Sequence, residues 1–287
     1  NSKIIFHSVT HAVRYINEFG SDKNDIYYMS HSPVPTSIEW SRDMNYNFLG
    51  RLRKKVVEKL EKRVLSNVTG VVCPNINALD AYYSDNFDMR SLVENVKLVE
   101  VPTGCKMLVP TKSSQEMRSE LGLSESDVIV SYLGRYNDDK GFGNFTNIVE
   151  DLADVNIKFI SAGIGELPRP CSNNYSDLGW RTDAPDIINA SDYIIVPNNV
   201  AYFDLIILEC LSLGKKVITT YVGGSKKLEK NVVKYLDLDS EIQLSAQFFD
   251  ILNSKWDYSE SEIKEIYNEN YSPEAFKNNL ERTLLNE

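Results

Sequence analysis

VIVSYLGRYNDDKGF, residues 128–142, is the stretch that decides the fold. Its opening run, VIVSYL, is apolar and of strand length, as a strand buried on both faces requires. It passes straight into Gly134 and Arg135. A polar loop then leads to Lys140 and Gly141, after which a helical pattern begins. A loop at the carboxyl end of a strand is where open α/β sheets bind ligands. Two cations on that loop suit an anion, Arg as a planar fork and Lys as a point charge. Taken alone, the pair also fits a solvated surface loop.

The same rhythm continues on both sides. Downstream, strand-like runs at 157–161 (IKFIS), 192–196 (DYIIV) and 216–220 (KVITT) alternate with helical patterns at 142–153, 183–190 and 204–213. Upstream, KIIF (3–6), DIYYM (25–29), GVVC (70–73) and VKLVEV (96–101) read as strands. RLRKKVVEKLEKRVL (51–65) reads as an amphipathic helix whose apolar face is Leu52, Val56, Leu60 and Val64. Strands alternating with helices give βαβ units and parallel sheets. PTGCK (102–106) reads as a turn, followed by a polar stretch at 111–126. The expected organisation is α/β with two Rossmann-like domains, residues 1–105 and 106–270. A C-terminal helix over 271–287 opens at Ser272 and Pro273 and packs back on the first domain.

With 287 residues the chain has room for two domains, and 42% apolar with 25% charged residues describes a globular protein. A net charge of −10 argues against a general nucleic-acid binder, which carries a basic footprint. No run approaches the ~20 apolar residues of a membrane span. The opening NSKIIFHSV lacks the apolar core of a signal peptide, so a cytoplasmic setting with reduced thiols is expected. Cys73, Cys105, Cys171 and Cys210 form no C-x-x-C pair and lie far in sequence from His7, His11 and His31, so a zinc site is not expected. The i, i+4 spacing of His7 and His11 suits helical metal ligands, but no third ligand is near in sequence.

Several stretches in order resemble one family: LGRYNDDKG (133–141), FISAGIG (159–165), YSDLGW (175–180), ASDYIIVP (190–197), FDLIILECLSLG (203–214) and VITTYVGG (217–224). Together with the basic helix running into GVVCPN, they resemble the retaining GT-B-fold glycosyltransferases of glycosyltransferase family 4, the glycosyl transferases group 1. The resemblance implies two Rossmann-type domains facing a cleft. It implies transfer of a sugar from a nucleoside-diphosphate sugar to an acceptor hydroxyl with retention, in glycan or polysaccharide biosynthesis, with no metal or other cofactor. The letters of a D-x-D site, Asp237 and Asp239, fall outside the family's site. Gly134, Arg135 and Lys140 would hold the diphosphate. Gly163, Trp180, Arg181 and Leu205 would border the nucleotide, and Glu209 would accept hydrogen bonds from the ribose hydroxyls. MSHSPVPTS (29–37) resembles the loop carrying the active-site histidine, here His31, which would contact the transferred sugar. Residue by residue, other readings stay open: Gly163 and Gly165 as a tight strand-to-helix turn, Trp180 as core, His31 as a locally satisfied turn residue.

The helix at 51–65 carries a net charge of +5 within a chain of −10. Such a face suits either solvent or the anionic surface of a membrane bearing a lipid-linked acceptor. Polysaccharide, lipid-linked and small-molecule acceptors all fit the resemblance. The chain departs from the family at three places. Ala201 stands where the first of two glutamates is usual, Asp204 where a small residue is usual, and no glycine-containing unit precedes the first strand, so the first domain is expected to be short or N-terminally incomplete. These departures motivate a second reading: a non-catalytic partner subunit or glycan-binding relative.

Overall fold

A computed structural model describes residues 2–32, 34–42, 48–82, 90–228 and 231–285. Pro33, within the MSHSPVPTS loop, lies outside them. In chain order the elements are β1 (Lys3–Phe6), α1 (Val9–Phe19), β2 (Asp25–Met29), α2 (Thr36–Arg42), α3 (Phe48–Leu65), β3 (Gly70–Cys73), a 3₁₀ turn (Ile76–Tyr82), α4 (Arg90–Glu94) and β4 (Lys97–Glu100). There follow α5 (Ser114–Glu120), β5 (Ile129–Leu133), α6 (Phe142–Asp151), β6 (Lys158–Ala162), β7 (Tyr175–Asp177), α7 (Ala184–Ala190), β8 (Tyr193–Val196) and α8 (Leu205–Ser212). The last are β9 (Lys216–Thr220), a 3₁₀ turn (Gly223–Lys227), β10 (Val233–Leu236), α9 (Leu244–Asn253), α10 (Glu260–Asn270) and α11 (Pro273–Leu285). The chain divides into two compact units, Asn1–Thr103 with Phe276–Glu287, and Gly104–Ala275.

The first unit is a four-stranded, all-parallel sheet in the order β1-β2-β3-β4. Its core joins Tyr27, Met29, Val72 and Val99 to Leu284 of α11. Helix α1 buries Val9, Ala12, Val13 and Ile16, the spacing of one helical face.

Helix α3 corrects the sequence reading. Leu52 and Val56 are 55% and 53% exposed, whereas Val57, Glu61 and Val64 are buried. The inward row looked polar in the sequence because Glu61 lies in it. The carboxylate tolerates burial because the Thr36 and Ser37 amides donate to it at 2.7 and 3.2 Å. Those amides open α2, where helix N–H groups have no intrahelical acceptor. Burial raises the Glu61 pKa, and the two amides pull it partly back.

The second unit is a six-stranded parallel sheet in the order β10-β9-β8-β5-β6-β7. Strand β5 is central, paired with β6 on one side and β8 on the other. Leaving β5, the chain moves outward to β6 and β7, then returns through α7 to β8. The strand order therefore reverses at β5 and β8, and the crevice outside their carboxyl ends is the topological switch point of the sheet. Several elements escaped the sequence reading, among them α1, α2, α4, α9 and α10 as well as β7, β10 and α5. β7 and β10 are short and half-polar. Helix α5 lies inside the polar stretch 111–126, started by a capping box in which Ser113 Oγ accepts from the Glu116 amide and Glu116 accepts from the Ser113 amide. At the other end, Ser272 Oγ accepts from the Ala275 amide and opens α11. Among the described residues no helix is long and apolar enough to cross a membrane.

Candidate functional site

The switch point holds a cavity of about 300 Å³, bordered by Tyr132 of β5, by Gly134, Arg135 and Lys140 after it, and by Asn198, Asp204 and Leu205 after β8. The two loops are braced to each other. Asn144 Nδ2 donates to the Pro197 carbonyl at 3.0 Å, and Asn199 Nδ2 donates to the Asp138 carbonyl at 2.7 Å. Gly141 begins α6 at φ +62°, and a Cβ there would lie 1.7 Å from the Pro197 oxygen. Only glycine meets both demands, the left-handed backbone and the contact. The Tyr132 hydroxyl donates to the Arg135 carbonyl at 2.6 Å, with the Lys140 carbonyl at 3.2 Å, and so pins both cation-bearing residues from below. Burial pushes this phenol well above its ordinary range, which keeps it a donor.

The two cations are in different states. Arg135 is exposed, and its guanidinium makes no hydrogen bond or ion pair among the described residues. Lys140 Nζ is paired with Asp204, whose other carboxylate oxygen accepts from Asn198. Asp204 is the N-cap residue of α8 but makes no capping bond. Its carboxylate points instead to the lysine, so the first turn of α8 borders the cavity with open N–H groups. Helix starts of this kind favour anions. Ala201, where the family's first glutamate would stand, is 5% exposed and offers the cavity no polar group.

Of the remaining residues expected at the site, Gly163 abuts Gly134: a Cβ on Gly163 would sit 1.8 Å from the Gly134 carbonyl oxygen. The β5 and β6 loops are zipped by Gly134 N–H to Ala162 O at 3.1 Å and Tyr136 N–H to Ile164 O at 2.9 Å. The G-x-G is thus a close approach of two loops and not a strand-to-helix turn, since β6 leads to β7 with no helix between. Trp180 is 71% exposed, so it is not a core residue. Arg181 is held by Asp183 at 2.8 and 2.5 Å, with Glu120 at 3.5 Å. Glu209 sits one turn into α8, half-buried. Burial raises its pKa, and no hydrogen bond reaches its carboxylate among the described residues. Asn198 and Tyr132 were missed by the sequence reading. Both look like ordinary strand-end residues until the sheet order is known.

In the first unit, His31 follows β2 and His7 follows β1. His7 Nδ1 lies 2.8 Å from His31 Nε2, and the rings stack at 5.0 Å. His7 precedes α1, so it is not half of a helical metal pair with His11. The two rings line a pocket of about 250 Å³ with Tyr28, Thr36, Glu39 and Trp40. A larger cavity of about 790 Å³ in the second unit opens at the amino ends of the strands, beside Asp127, Asp192 and Lys215, away from the switch point. The Asp237 carboxylate accepts from the Asp239 amide at 3.0 Å in an exposed turn after β10.

Residues 127–245 match the family described as glycosyl transferases group 1. The chain is 27% identical over 172 residues to the UDP-Gal:alpha-D-GlcNAc-diphosphoundecaprenol alpha-1,3-galactosyltransferase of Escherichia coli. The match takes in 52% of this chain and 44% of that protein, so the chain spans less than half the length of this relative. Among solved structures, it is similar to sucrose-phosphate synthase from Thermosynechococcus elongatus, with TM-score 0.70 and 16% identity over 99% of this chain and 74% of the other. It is similar to Anabaena HepE in complex with UDP, with TM-score 0.70 and 14% identity over 100% of this chain and 79% of the other.

Proposed function

We propose that this chain, whose residues 127–245 match the glycosyl transferases group 1 family and whose two units each carry a parallel sheet, transfers a sugar from a uridine-diphosphate sugar to an acceptor hydroxyl with retention. The observation that carries this reading is the cavity at the β5/β8 switch point, with Arg135, Lys140 and the start of α8 converging on it. Uridine is favoured because the donor named for the E. coli relative is UDP-Gal and the HepE structure holds UDP.

The chemistry follows from charge. The bond between the anomeric carbon and the diphosphate breaks as negative charge builds on the leaving oxygen, and fixed cations lower that barrier. Arg135, exposed at the loop, supplies a fork to the phosphate oxygens. Lys140 supplies the second charge, once the diphosphate replaces Asp204 as its partner. Glu209 accepts from the ribose diol, which explains a half-buried carboxylate with no hydrogen-bond partner among the described residues. Trp180 offers an exposed ring for the base. In the first unit, His31 is the group proposed to meet a sugar hydroxyl. Retention requires the acceptor oxygen to enter on the face the diphosphate leaves.

The acceptor is proposed to be a glycan on a lipid carrier, as in the name of the E. coli relative. Helix α3 supports this. Its exposed Leu49, Leu52 and Val56 form an apolar stripe flanked by Arg53 and Lys59, the pattern of a helix lying on an anionic membrane. The chain is therefore expected to act at the cytoplasmic membrane surface. Sedimentation with phosphatidylglycerol vesicles should be lost in the triple change of those apolar residues to Ser.

The first test is a thermal-shift titration with UDP, GDP, ADP and their sugar conjugates. A ligand at ~100 times its dissociation constant adds about 2.7 kcal/mol, a readable shift. A shift with UDP that disappears in Arg135→Ala supports the reading. The second reading, a non-catalytic relative, rests on the Lys140–Asp204 pair and on Ala201. It expects no shift with any nucleotide.

A further inference from the structure

The geometry of the first unit points to a role for His7, a residue outside the donor machinery. We propose that His7 is a positioning residue that sets the tautomer of His31 and so fixes which ring nitrogen His31 presents to a sugar hydroxyl. This deepens the proposed transfer reaction and rests on it. His7 Nδ1 and His31 Nε2 are 2.8 Å apart, and neither ring makes another hydrogen bond among the described residues. At that distance one nitrogen carries the proton and the other accepts it. The Nε2 of His31 is therefore engaged, and only its Nδ1 is left for a ligand. If His31 Nε2–H donates, its Nδ1 is a bare acceptor. If His7 Nδ1–H donates, the His31 Nδ1 carries hydrogen and donates. Either way the tautomer of His31 is tied to that of His7, whereas a lone imidazole interconverts freely between the two forms.

The surroundings favour a neutral His31. Burial lowers the His31 pKa, and the neighbouring His7 lowers it further. The one carboxylate lining the same pocket is Glu39 of α2. Behind it stand Tyr28 of β2, pushed up to about 12 by burial and so neutral, and Glu61 of α3, bound to the Thr36 and Ser37 amides. On the far side of His7, His11, Arg14 and Glu18 of α1 border the adjoining pocket. A proton added to His31 makes both of its nitrogens donors. That removes the single-tautomer arrangement, so activity should fail on the acid side. No bond other than N–H is made or broken in this step.

The test is an NMR titration of the imidazole nitrogens in the 15N-labelled full chain between pH 5 and 8, for the native protein, His7→Asn and His7→Ala. The expected native result is one fixed tautomer of His31 near pH 7.5 and a midpoint below ordinary imidazole. His7→Ala should mix the tautomers and raise the midpoint. His7→Asn keeps a polar atom near the Nδ1 position and should restore the single form. An unchanged His31 spectrum in His7→Ala overturns the proposal. With donor and acceptor supplied, His7→Ala should lower kcat by up to about 100-fold. It should leave the donor KM in place and move the acid limb upward, with rescue by His7→Asn. An unchanged kcat overturns the positioning role. The spectrum needs no turnover, so a native chain that transfers no sugar would sink the transfer reading while leaving the histidine pair measured on its own terms.

Discussion

The carboxyl ends of the two sheets carry opposite chemistry. After β5 and β8 the loops are braced by side-chain amides, close glycine contacts and a buried tyrosine, and what they hold out is charge: Arg135, Lys140 and Asp204. After β1 and β2 the loops hold out two imidazoles in contact through their ring nitrogens, His7 and His31. Fixed charge on a rigid frame suits an anion whose charge grows during the reaction. Ring nitrogens in a polar pocket suit a hydroxyl, which needs direction more than charge. Parallel sheets of similar build thus present different chemical groups at their carboxyl ends, and the difference lies in the residues that follow the strands.

The largest expected effect breaks the charged side. Arg135→Ala removes the unpaired cation and should weaken UDP binding by about 10–100-fold, the scale of ~1.5–3 kcal/mol for a hydrogen-bonded charge. Isothermal titration reads it, and an affinity within twofold of the native value would place the diphosphate elsewhere. Next comes a change that should touch the first unit alone. Glu61→Ala strands two helix-start amides and should cost about 1–3 kcal/mol in thermal unfolding, with UDP affinity intact. A stability loss under ~0.5 kcal/mol would mean that water replaces the carboxylate.

Asp204→Asn probes the competition inside the charged site. It frees Lys140 from its carboxylate while keeping a polar group for Asn198. UDP affinity should rise by about fivefold, in line with ~1 kcal/mol for a partly exposed pair. A fall would show that the aspartate helps to hold the ligand or the lysine. The smallest effect is pH dependence from the neutral side. The folded chain binds a proton at His31 less readily than the unfolded chain does, because the folded pKa is lowered. Stability should therefore fall as pH drops through the ordinary imidazole value near ~6.5, and the loss is complete below the lowered folded value. Chemical denaturation at pH 7.5 and 5.5 measures it, and His31→Gln should flatten that part of the profile.

Much of this molecule was legible in the chain because the signals are local. Four strands, DIYYM, KIIF, GVVC and KVITT, stand in the structure where the apolar runs place them. The two cations on the β5 loop were readable from strand-end logic and family resemblance together. The capping box at Ser113 is present in the letters of the polar stretch 111–126. The buried face of α3 was a different matter. Leu52, Val56, Leu60 and Val64 satisfy helical spacing as well as Val57, Glu61 and Val64 do, and of the expected row Val64 alone is buried. Periodicity finds a stripe but does not say which stripe meets a neighbour, and a glutamate in the true one hid it. Only the fold places the Thr36 and Ser37 amides where they let that carboxylate be buried. The same holds for the functional contacts. Sequence gave the residue types, Lys140, Asp204, His7 and His31, each within reach of a loop. The pairings Lys140–Asp204 and His7–His31 join residues from different strands of one sheet, across 64 and 24 positions of chain. Which strands lie side by side is settled by strand order and register, a property of the whole sheet, and no local pattern carries it.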